Sequence, residues 1–327
     1  MEVKKPPTKN IKEDISNCQL VIKDFEKILK YVILYYMAVL IKKLSVFAPA
    51  KVNLHLAVKD RRQDGFHDIE SVFLAVNFGD TLKFKVLRGE NSVEIDIKGL
   101  KSPIPTEENI IFKAVSLFRD KTGFRKNLKI KVKKRIPVGG GLGGGSSNAA
   151  AVLLALNKIA GFPCCKKELL EMAAFLGSDI PFFMHESPAA FVTGRGECIL
   201  PLKAPKLFFV LVNPGFHSET AAAYKLIDEN RTSPQTEKID EFIKNGEFDE
   251  NIYPRFFNDF LRFSAEAQKS VYNKIIEDFR GLGARYANLS GSGATCFGVF
   301  ADRRQAKKAA KVLRKKWSFV RECRSII

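Results

Sequence analysis

The residues best suited to chemistry lie in a glycine-rich run at positions 137–147, which reads Pro-Val-Gly-Gly-Gly-Leu-Gly-Gly-Gly-Ser-Ser. Because glycines lack Cβ atoms, their backbone N–H groups can close around an anion. A helix that starts after such a loop adds free N–H groups and the positive end of its dipole. The hydroxyls of Ser146 and Ser147 can bind a phosphate oxygen or a metal-bound water. The run therefore predicts a cradle for a polyphosphate.

The segments on either side of this run indicate how it is held. Apolar residues and lysines alternate at positions 128–133, which predicts a half-buried strand. Residues 149–160 are rich in alanine and leucine and are followed by Gly161 and Pro163, which predicts a helix with its end at that glycine. A flexible linker is disfavoured, because linkers of this kind are usually flanked by Ser, Pro or charge.

Two other glycine motifs fit the run less well. A P-loop needs a lysine directly after its last glycine, and Ser146 occupies that position. Gly139, Gly141 and Gly144 match the dinucleotide pattern G-x-G-x-x-G, but so glycine-rich a run matches it almost automatically. No acidic residue follows about 20 positions later at a strand end, where a ribose would need it.

The composition is that of an ordinary globular chain with a basic surface. The 327 residues are enough for two domains, and 46% are hydrophobic and 28% charged. The net charge of +18 favours an acidic ligand and by itself leaves nucleic acid, an anionic membrane and phosphorylated substrates open. Six cysteines without C-x-x-C spacing and four scattered histidines predict reduced thiols in a cytoplasmic protein and no side-chain metal site.

The outer parts of the chain carry weaker signals. Residues 1–36 are interpreted as an extension upstream of a true start at Met37, and the apolar run Tyr31–Ile41 is too short to span a bilayer. Strands are predicted at 191–200 and 207–212. The basic helix at 302–317 is expected to present a solvated face and not a nucleic-acid surface, since aromatic residues do not interleave with its charges.

Two ionisable residues stand near these elements. Lys51 begins an alternating segment that predicts a strand, so it should share a face with Asn53 and His55. Asp179 follows a helix predicted at 166–176. Ser-Asp before Ile-Pro is good capping chemistry, so the local pattern alone favours a helix or turn cap at Asp179.

Three segments together resemble the ordered motifs of the GHMP kinases, a family that includes galactokinase, homoserine kinase and mevalonate kinase. They are Pro-Ala-Lys-Val-Asn-Leu at 49–54, the glycine run with its Asn-Ala-Ala extension at 137–150, and Leu-Ser-Gly-Ser-Gly-Ala at 289–294. The resemblance implies an α+β protein of two α/β layers. A ribosomal-S5-like ATP-binding domain (37–200) would precede a ferredoxin-like domain (201–327), with substrate and ATP meeting between them in a monomer or weak homodimer.

Further segments resemble one branch of this family, whose acceptor is a cytidine diphosphate-linked methylerythritol of the non-mevalonate isoprenoid pathway. They begin at Asp64, Glu108 and Gly177 and read Asp-Gly-Phe-His-Asp-Ile, Glu-Asn-Ile-Ile-Phe-Lys and Gly-Ser-Asp-Ile-Pro-Phe-Phe. Two alternatives stay open: another small-molecule kinase of the homoserine or phosphomevalonate type, and a non-catalytic polyanion-binding protein. The intact Lys51 and Asp179 disfavour the second alternative.

The resemblance also implies a mechanism, and it reverses the capping interpretation of Asp179. Lys51 and Asp179 become the catalytic pair that moves the γ-phosphoryl group of ATP, with Mg²⁺, to the tertiary 2-hydroxyl. An alcohol becomes acidic only late in a loose phosphoryl-transfer transition state. A carboxylate within about 3 Å can then accept its proton, while Lys51 keeps that carboxylate ionised and stabilises developing charge.

The remaining site residues are implied by the resemblance alone. The ATP side comprises Asn109, Lys134, Pro137, Val138, Gly139, Gly140, Gly141, Leu142, Gly143, Gly144, Gly145, Ser146 and Ser147. The substrate side comprises Asn53, Phe66, His67, Thr220 and Tyr224, with Phe66, His67 and Tyr224 expected around the cytosine. Ordinary core packing is the alternative for Phe66 and Tyr224. Arg195 and the pair Cys164-Cys165 have no role that the resemblance supplies.

Overall fold

The structure is a computed structural model that describes residues 41–100, 104–232 and 250–327, with the single positions 239, 243, 246 and 247. The interpretations of the leader 1–36 and of Met37 as a start fall outside these residues. Within the described ranges, no helix is both long and apolar enough to cross a bilayer. The five cysteines in those ranges are all unpaired thiols.

The first layer is a six-stranded sheet in the N-terminal half of the chain. Its strands are β1 (Lys43–Arg61), β2 (His67–Glu90), β3 (Val93–Lys98), β4 (Lys126–Lys133), β5 (Ala189–Thr193) and β6 (Cys198–Leu202). The spatial order is β3-β4-β2-β5-β6, with β1 also paired to β2. The β3–β4 pair is parallel and the other pairs are antiparallel. Because β2 is 24 residues long, it can pair with β1, β4 and β5 along its length.

Three helices pack on this sheet through an apolar core. They are α1 (Ile110–Thr122), α2 (Gly144–Ile159) and α3 (Lys166–Leu176), and short 3₁₀ turns lie at Thr106–Glu108 and Pro181–Met184. Strand β4 contributes one apolar face to this core: Leu128, Ile130 and Val132 are buried in it, while the alternating lysines face away from it. The predicted strand before the glycine run is thereby confirmed, and the predicted helix at 166–176 is reproduced residue for residue.

The second layer is a four-stranded antiparallel sheet. Its strands are β7 (Phe208–Asn213), β8 (Tyr286–Leu289), β9 (Cys296–Phe300) and β10 (Phe319–Arg324), in the order β10-β7-β9-β8. The helices of this half are α4 (Thr220–Asn230), α5 (Asp259–Arg262), α6 (Glu266–Gly281) and α7 (Arg303–Leu313), with a 3₁₀ turn at Glu250–Arg255. Helix α7 buries Ala306, Ala309, Ala310 and Leu313 and leaves its basic residues exposed, as predicted.

An apolar cluster joins the two layers and therefore fixes their relative position. Val52 and Leu54 of β1 belong to the same buried cluster as Phe209 of β7 and Phe297 of β9. Burying side chains of this size contributes roughly 1.5–3 kcal/mol each. A backbone bridge between Leu56 and Asn258 adds a further link. The strand that carries Lys51 is thus held rigidly against the second half of the chain.

The basic helix predicted at 302–317 ends earlier, at Leu313. Two other predicted elements also differ from the structure. The helix expected from Ala149 begins at Gly144, because Gly143 in a left-handed conformation (φ 66°) starts it inside the glycine run. The single strand expected at 191–200 is a hairpin of β5 and β6, because Gly194 and Gly196, both with positive φ, turn the chain between them. Glycines with positive φ thus determine both the start of α2 and the turn between β5 and β6.

The expectation that His55 shares a face with Lys51 is wrong. The pairing of β1 with β2 shifts register between Asn53 and His55, so an extra residue is accommodated there. Since side chains alternate along a strand, such a bulge reverses the facing of the residues that follow it. Lys51, Asn53 and Leu56 consequently line one cleft, whereas His55 is buried on the other face, where its Nδ1 accepts the N–H of Phe257 at 3.3 Å.

Candidate active site

Two chain segments that are distant in sequence contact the glycine run. The N–H of Lys51 on β1 donates to Leu142 O at 3.0 Å. The N–H of Thr295, next to β9, donates to Gly140 O at 3.2 Å. The Ser290 hydroxyl donates to Gly141 O at 2.9 Å and accepts the N–H of Asn53 at 3.3 Å. The three segments that resemble GHMP motifs therefore form one continuous structure.

Close backbone packing explains why two of these glycines are required. A Cβ on Gly141, which has φ +72°, would lie 2.0 Å from Ser290 O. A Cβ on Gly143, with φ +66°, would lie 2.9 Å from the Phe183 ring and 3.0 Å from Cγ of Lys51. Side chains are strained at such φ values and have no space here. The glycines thus allow the loop to lie directly against Lys51.

The N-terminus of α2 completes an anion cradle. Gly144, Gly145 and Ser146 form its first turn, whose N–H groups lack partners within the helix. The positive end of the helix dipole is at the same place. Ser146 lines the cleft, whereas Ser147 lies behind it: its Oγ is buried and has no hydrogen-bond partner among the described residues. Ser146 and Ser147, which were predicted to have the same role, thus occupy different positions in the structure.

Lys51 and Asp179 form an ion pair beside this cradle. Nζ of Lys51 lies 3.4 Å from Oδ2 of Asp179, and the side chains are 5% and 33% exposed. The Lys51 ammonium also donates to Asn53 Oδ1 at 2.6 Å and lies 4.2 Å from the centre of the Phe73 ring. Burial lowers the pKa of Lys51, and the charge of Asp179 opposes that shift.

Asp179 does not cap a helix in this structure. The adjacent 3₁₀ turn begins at Pro181, follows Ile180 and receives no side-chain cap. The capping interpretation is therefore wrong, and the carboxylate is free to face the cleft with Lys51. Asn53 keeps Lys51 oriented, since its own amide donates to Ser71 Oγ at 3.0 Å.

A buried carboxylate that the sequence analysis missed holds both ends of the glycine run. Asp80 on β2 is fully buried and accepts the N–H groups of Arg135 and Ile136 at 2.6 and 3.0 Å. It also accepts from Asn148 Nδ2 at 3.0 Å and pairs with the Lys134 ammonium. Asp80 thus ties the chain before the run to the helix after it, and it positions Lys134.

We expect Asp80→Asn to lower the free energy of unfolding by about 3 kcal/mol or more, because it leaves the largely buried Lys134 without a counter-charge. It should also raise the KM for ATP, since the loop loses its anchor. Urea unfolding and steady-state kinetics measure the two effects. Glu94→Gln is the matched control, because Glu94 on β3 pairs with Lys129 on β4 but is mostly exposed, where a pair contributes at most about 1 kcal/mol. Equal stability of the two variants would contradict the role given to Asp80.

The glycine run, Lys51 and Asp179 line a cleft with a volume of about 430 Å³. One part of its wall is apolar and includes Ile97, Ile104 and Ile110. Asn109 and Lys134, expected on the ATP side, both line the cleft. Each also has a structural partner: Asn109 caps α1 by accepting the N–H of Ile111 at 3.0 Å, and Lys134 donates to Asn148 at 3.1 Å as well as pairing with Asp80.

The residues expected around a cytosine are only partly assembled. Thr220 and Tyr224 of α4 line the cleft, whereas Phe66 and His67 are not among its lining residues. The His67 ring stacks directly on Tyr224, with centroids 5.0 Å apart, and its Nε2 lies 2.7 Å from Asp228 Oδ1. The Phe66 ring is 54% exposed. The His67 ring therefore lies against Tyr224 in this structure, on the residue where a base was expected to stack.

Tyr224 is electrostatically coupled to Asp179 of the ion pair. Burial, with the nearby negative charge of Asp179, raises the pKa of Tyr224 to about 12. Its hydroxyl therefore stays protonated at neutral pH and can donate a hydrogen bond. Thr220 accepts or donates a hydrogen bond with Ser292 at 2.9 Å, which links α4 to the loop before β9. The part of the cleft lined by Thr220 and Tyr224 is thus continuous with the glycine loops.

The comparisons with known proteins agree with this geometry. The family "GHMP kinases N terminal domain" matches residues 109–187, and "GHMP kinases C terminal" matches residues 241–318. The 4-diphosphocytidyl-2-C-methyl-D-erythritol kinase of Thermodesulfovibrio yellowstonii is 38% identical over 283 residues, which are 84% of this chain and 95% of that one.

Solved structures give the same result. The crystal structure of a 4-(cytidine 5'-diphospho)-2C-methyl-D-erythritol kinase is 30% identical, with a TM-score of 0.72, and the match covers 86% of this chain and 99% of that chain. The homoserine kinase of Cytophaga hutchinsonii has a TM-score of 0.66 at 19% identity, over 88% and 96% of the two chains. The second match supports the fold alone, whereas the first is close in sequence as well.

Proposed function

This chain belongs to the GHMP kinase family, and from that premise we propose that it is an ATP-dependent kinase that phosphorylates the 2-hydroxyl of 4-diphosphocytidyl-2-C-methyl-D-erythritol. The observation that carries the proposal is the Lys51–Asp179 pair beside the glycine cradle, in a chain with this similarity to named kinases of that acceptor. The α+β fold of two layers, expected from the sequence, is that of the family.

Asp179 is suited to act as the base. Its carboxylate is one-third exposed, so an acceptor hydroxyl can reach it, and no cap occupies its oxygens. A hydroxyl held within hydrogen-bond distance passes its proton to Asp179 as its oxygen bonds to phosphorus. Lys51 balances the charge of Asp179 before the reaction and stabilises negative charge that develops on the transferring group. Asn53 and Phe73 keep the Lys51 ammonium directed at this point.

The glycine cradle is suited to bind the phosphates of ATP. Its N–H groups and the N-terminus of α2 attract anions without any side-chain charge. The apolar wall that includes Ile97 and Ile110 is suited to bind the adenine, beside Asn109 and Lys134. These assignments place the γ-phosphate end of ATP towards Lys51, because Gly143 lies directly against its side chain.

The residues also fit a Mg²⁺ ion that is bound together with ATP. Mg²⁺ is commonly held by substrate phosphates, waters and one or two protein oxygens. No cluster of three or more His, Cys, Asp or Glu side chains in the described ranges could hold a metal by itself, whereas the glycine cradle fits the phosphates and Ser146 offers a hydroxyl beside them. When bound, Mg²⁺ would neutralise phosphate charge during transfer.

We expect the purified protein to release ADP with the cytidine-linked methylerythritol and not with homoserine or phosphomevalonate. An exposed aromatic ring, Phe66, beside the cleft suits a base-bearing acceptor better than a small amino acid. The measurement is a coupled ADP assay with the three acceptors and a control without acceptor, which gives background ATP hydrolysis. Turnover of homoserine equal to or faster than that of the cytidine-linked acceptor would refute the assignment.

A further inference from the structure

Arg195 lies in the turn between β5 and β6, at the acceptor side of the cleft. Its guanidinium carbon is 4.7 Å from the centre of the exposed Phe66 ring, and its side chain lines the cleft. An arginine stacked on an aromatic ring keeps its N–H groups free at the edge of the guanidinium plane. Arg195 therefore presents donors to the cleft at the position where the acceptor enters.

The turn that carries Arg195 is fixed on both sides. The Arg195 N–H donates to Glu197 Oε2 at 2.7 Å, and Gly194 O accepts the N–H of Ile69 at 2.7 Å, three residues after Phe66. A Cβ on Gly196 would lie 3.1 Å from Cβ of Ser178 and 3.5 Å from Oδ1 of Asp179. The turn is thus packed between Phe66 and Asp179. A side chain at position 195 can therefore contact a ligand group that lies between these two residues.

The charges in the cleft distinguish Arg195 from the other cations there. Of the residues that the structure describes, three with cationic side chains line it: Lys51, Lys134 and Arg195. Lys51 is paired with Asp179, and Lys134 with Asp80. Among the described residues, Arg195 forms no ion pair, although it is half-buried. An unneutralised, partly desolvated guanidinium in a substrate cleft favours an anionic ligand group.

We propose that Arg195 binds the diphosphate of the acceptor and thereby positions its hydroxyl at Asp179. This inference rests on the proposed function, because a cytidine diphosphate-linked acceptor carries negative charge between its base and its reacting alcohol. The turn matches that order, since the Arg195 guanidinium contacts Phe66 and the next residue, Gly196, lies beside Asp179. Arg195 is a substrate-binding and specificity-determining residue, since homoserine lacks such a group.

The test measures binding of CDP and of cytidine by calorimetry, with a non-hydrolysable ATP analogue at saturation so that the ATP side is filled. For Arg195→Gln we expect the Kd of CDP to rise about 10-fold, equivalent to ~1.4 kcal/mol, with the Kd of cytidine changed less than about 2-fold. Arg195→Lys should retain part of the affinity for CDP, and rising salt should weaken CDP binding more in the wild type than in Arg195→Gln.

Arg321→Gln is the matched control, because Arg321 also stacks on a phenylalanine, Phe319 at 4.9 Å, but lies on β10 and does not line the cleft. It should bind both ligands as the wild type does. Equal loss of CDP and cytidine affinity in Arg195→Gln would assign Arg195 to the base and overturn the proposal, as would unchanged CDP affinity. Because binding is measured without turnover, the failure of the proposed function, no ADP release by the wild type, is a separate result.

Discussion

Replacing Asp179 by asparagine is expected to slow single-turnover phosphoryl transfer by about 10²- to 10⁴-fold while leaving ATP affinity nearly unchanged. Asparagine keeps the shape of the side chain but cannot take a proton. The phosphates of ATP are assigned to the glycine cradle, which makes its contacts with Ser290, Thr295 and the backbone of Lys51 and not with Asp179. Rapid-quench kinetics and nucleotide titration measure the two quantities on the same preparation.

The same variant should carry a second signature in its pH dependence. In the proposed mechanism Lys51 acts as an ammonium, so activity is expected below the pKa of Lys51 and should be lost as the pH rises through it. Burial lowers that pKa and Asp179 opposes the shift. Without the carboxylate the pKa of Lys51 falls further, and the alkaline limb of the residual rate should move to lower pH. A limb that stays in place would contradict the coupling between the two residues.

Asp278→Asn provides the matched control for this experiment. Asp278 also pairs with a lysine, Lys316 at 2.6 Å, but it lies on α6 and does not line the cleft. Both variants break a Lys–Asp pair, yet only Asp179→Asn should lose the chemical step. The stability cost of Asp179→Asn should be about 3 kcal/mol, because the Lys51 ammonium, only 5% exposed, is left without its counter-charge. A near-normal rate would refute the role of Asp179 as base.

The elements that the sequence predicted well are those coded by local patterns. Strict alternation at 128–133 and the helix ended by Gly177 reappear in the structure because burial and helix termination act over a few residues. The prediction that the glycine run forms a loop leading into a helix is confirmed for the same reason. The helix after the run begins earlier than expected, at Gly144. In a series of glycines, the sequence does not indicate which one adopts the left-handed conformation before the first turn.

The features that could not be predicted depend on partners distant in sequence. Asp80 lies 54 residues before Lys134, and its surroundings in the sequence do not differ from those of a turn aspartate. The register shift after Asn53, which sends His55 to the opposite face, depends on the pairing of β1 with β2. Likewise, the contact of Arg195 with Phe66 forms only because β5 pairs beside β2. In the candidate site, sequence motifs indicated which residues to consider, whereas the contacts between those residues could not be predicted.

Lys51→Met is expected to reduce the rate of phosphoryl transfer by about 10²- to 10³-fold, the usual cost of removing one stabilising group from a transition state. Methionine has a similar length and lacks the charge, so it fills the same space beside Phe73 and Gly143. Folding stability should change by no more than about 1 kcal/mol, because the cost of burying an ammonium is removed and Asp179, one-third exposed, can be solvated by water.

Lys134→Met is the matched comparison, because Lys134 is the second lysine of the cleft that is paired with an aspartate, Asp80. The carboxylate left behind, Asp80, is fully buried and cannot be solvated, so this variant should lose about 3–5 kcal/mol of unfolding free energy. Urea unfolding and single-turnover kinetics on both variants then distinguish a catalytic Lys–Asp pair from a structural one. If Lys51→Met were the less stable of the two and retained the chemical rate, the Lys51–Asp179 pair would be a structural ion pair. If Lys51→Met folds as well as the wild type but fails to transfer phosphate, the charge of Lys51 is retained in a buried position, at a cost in free energy, because the reaction requires it.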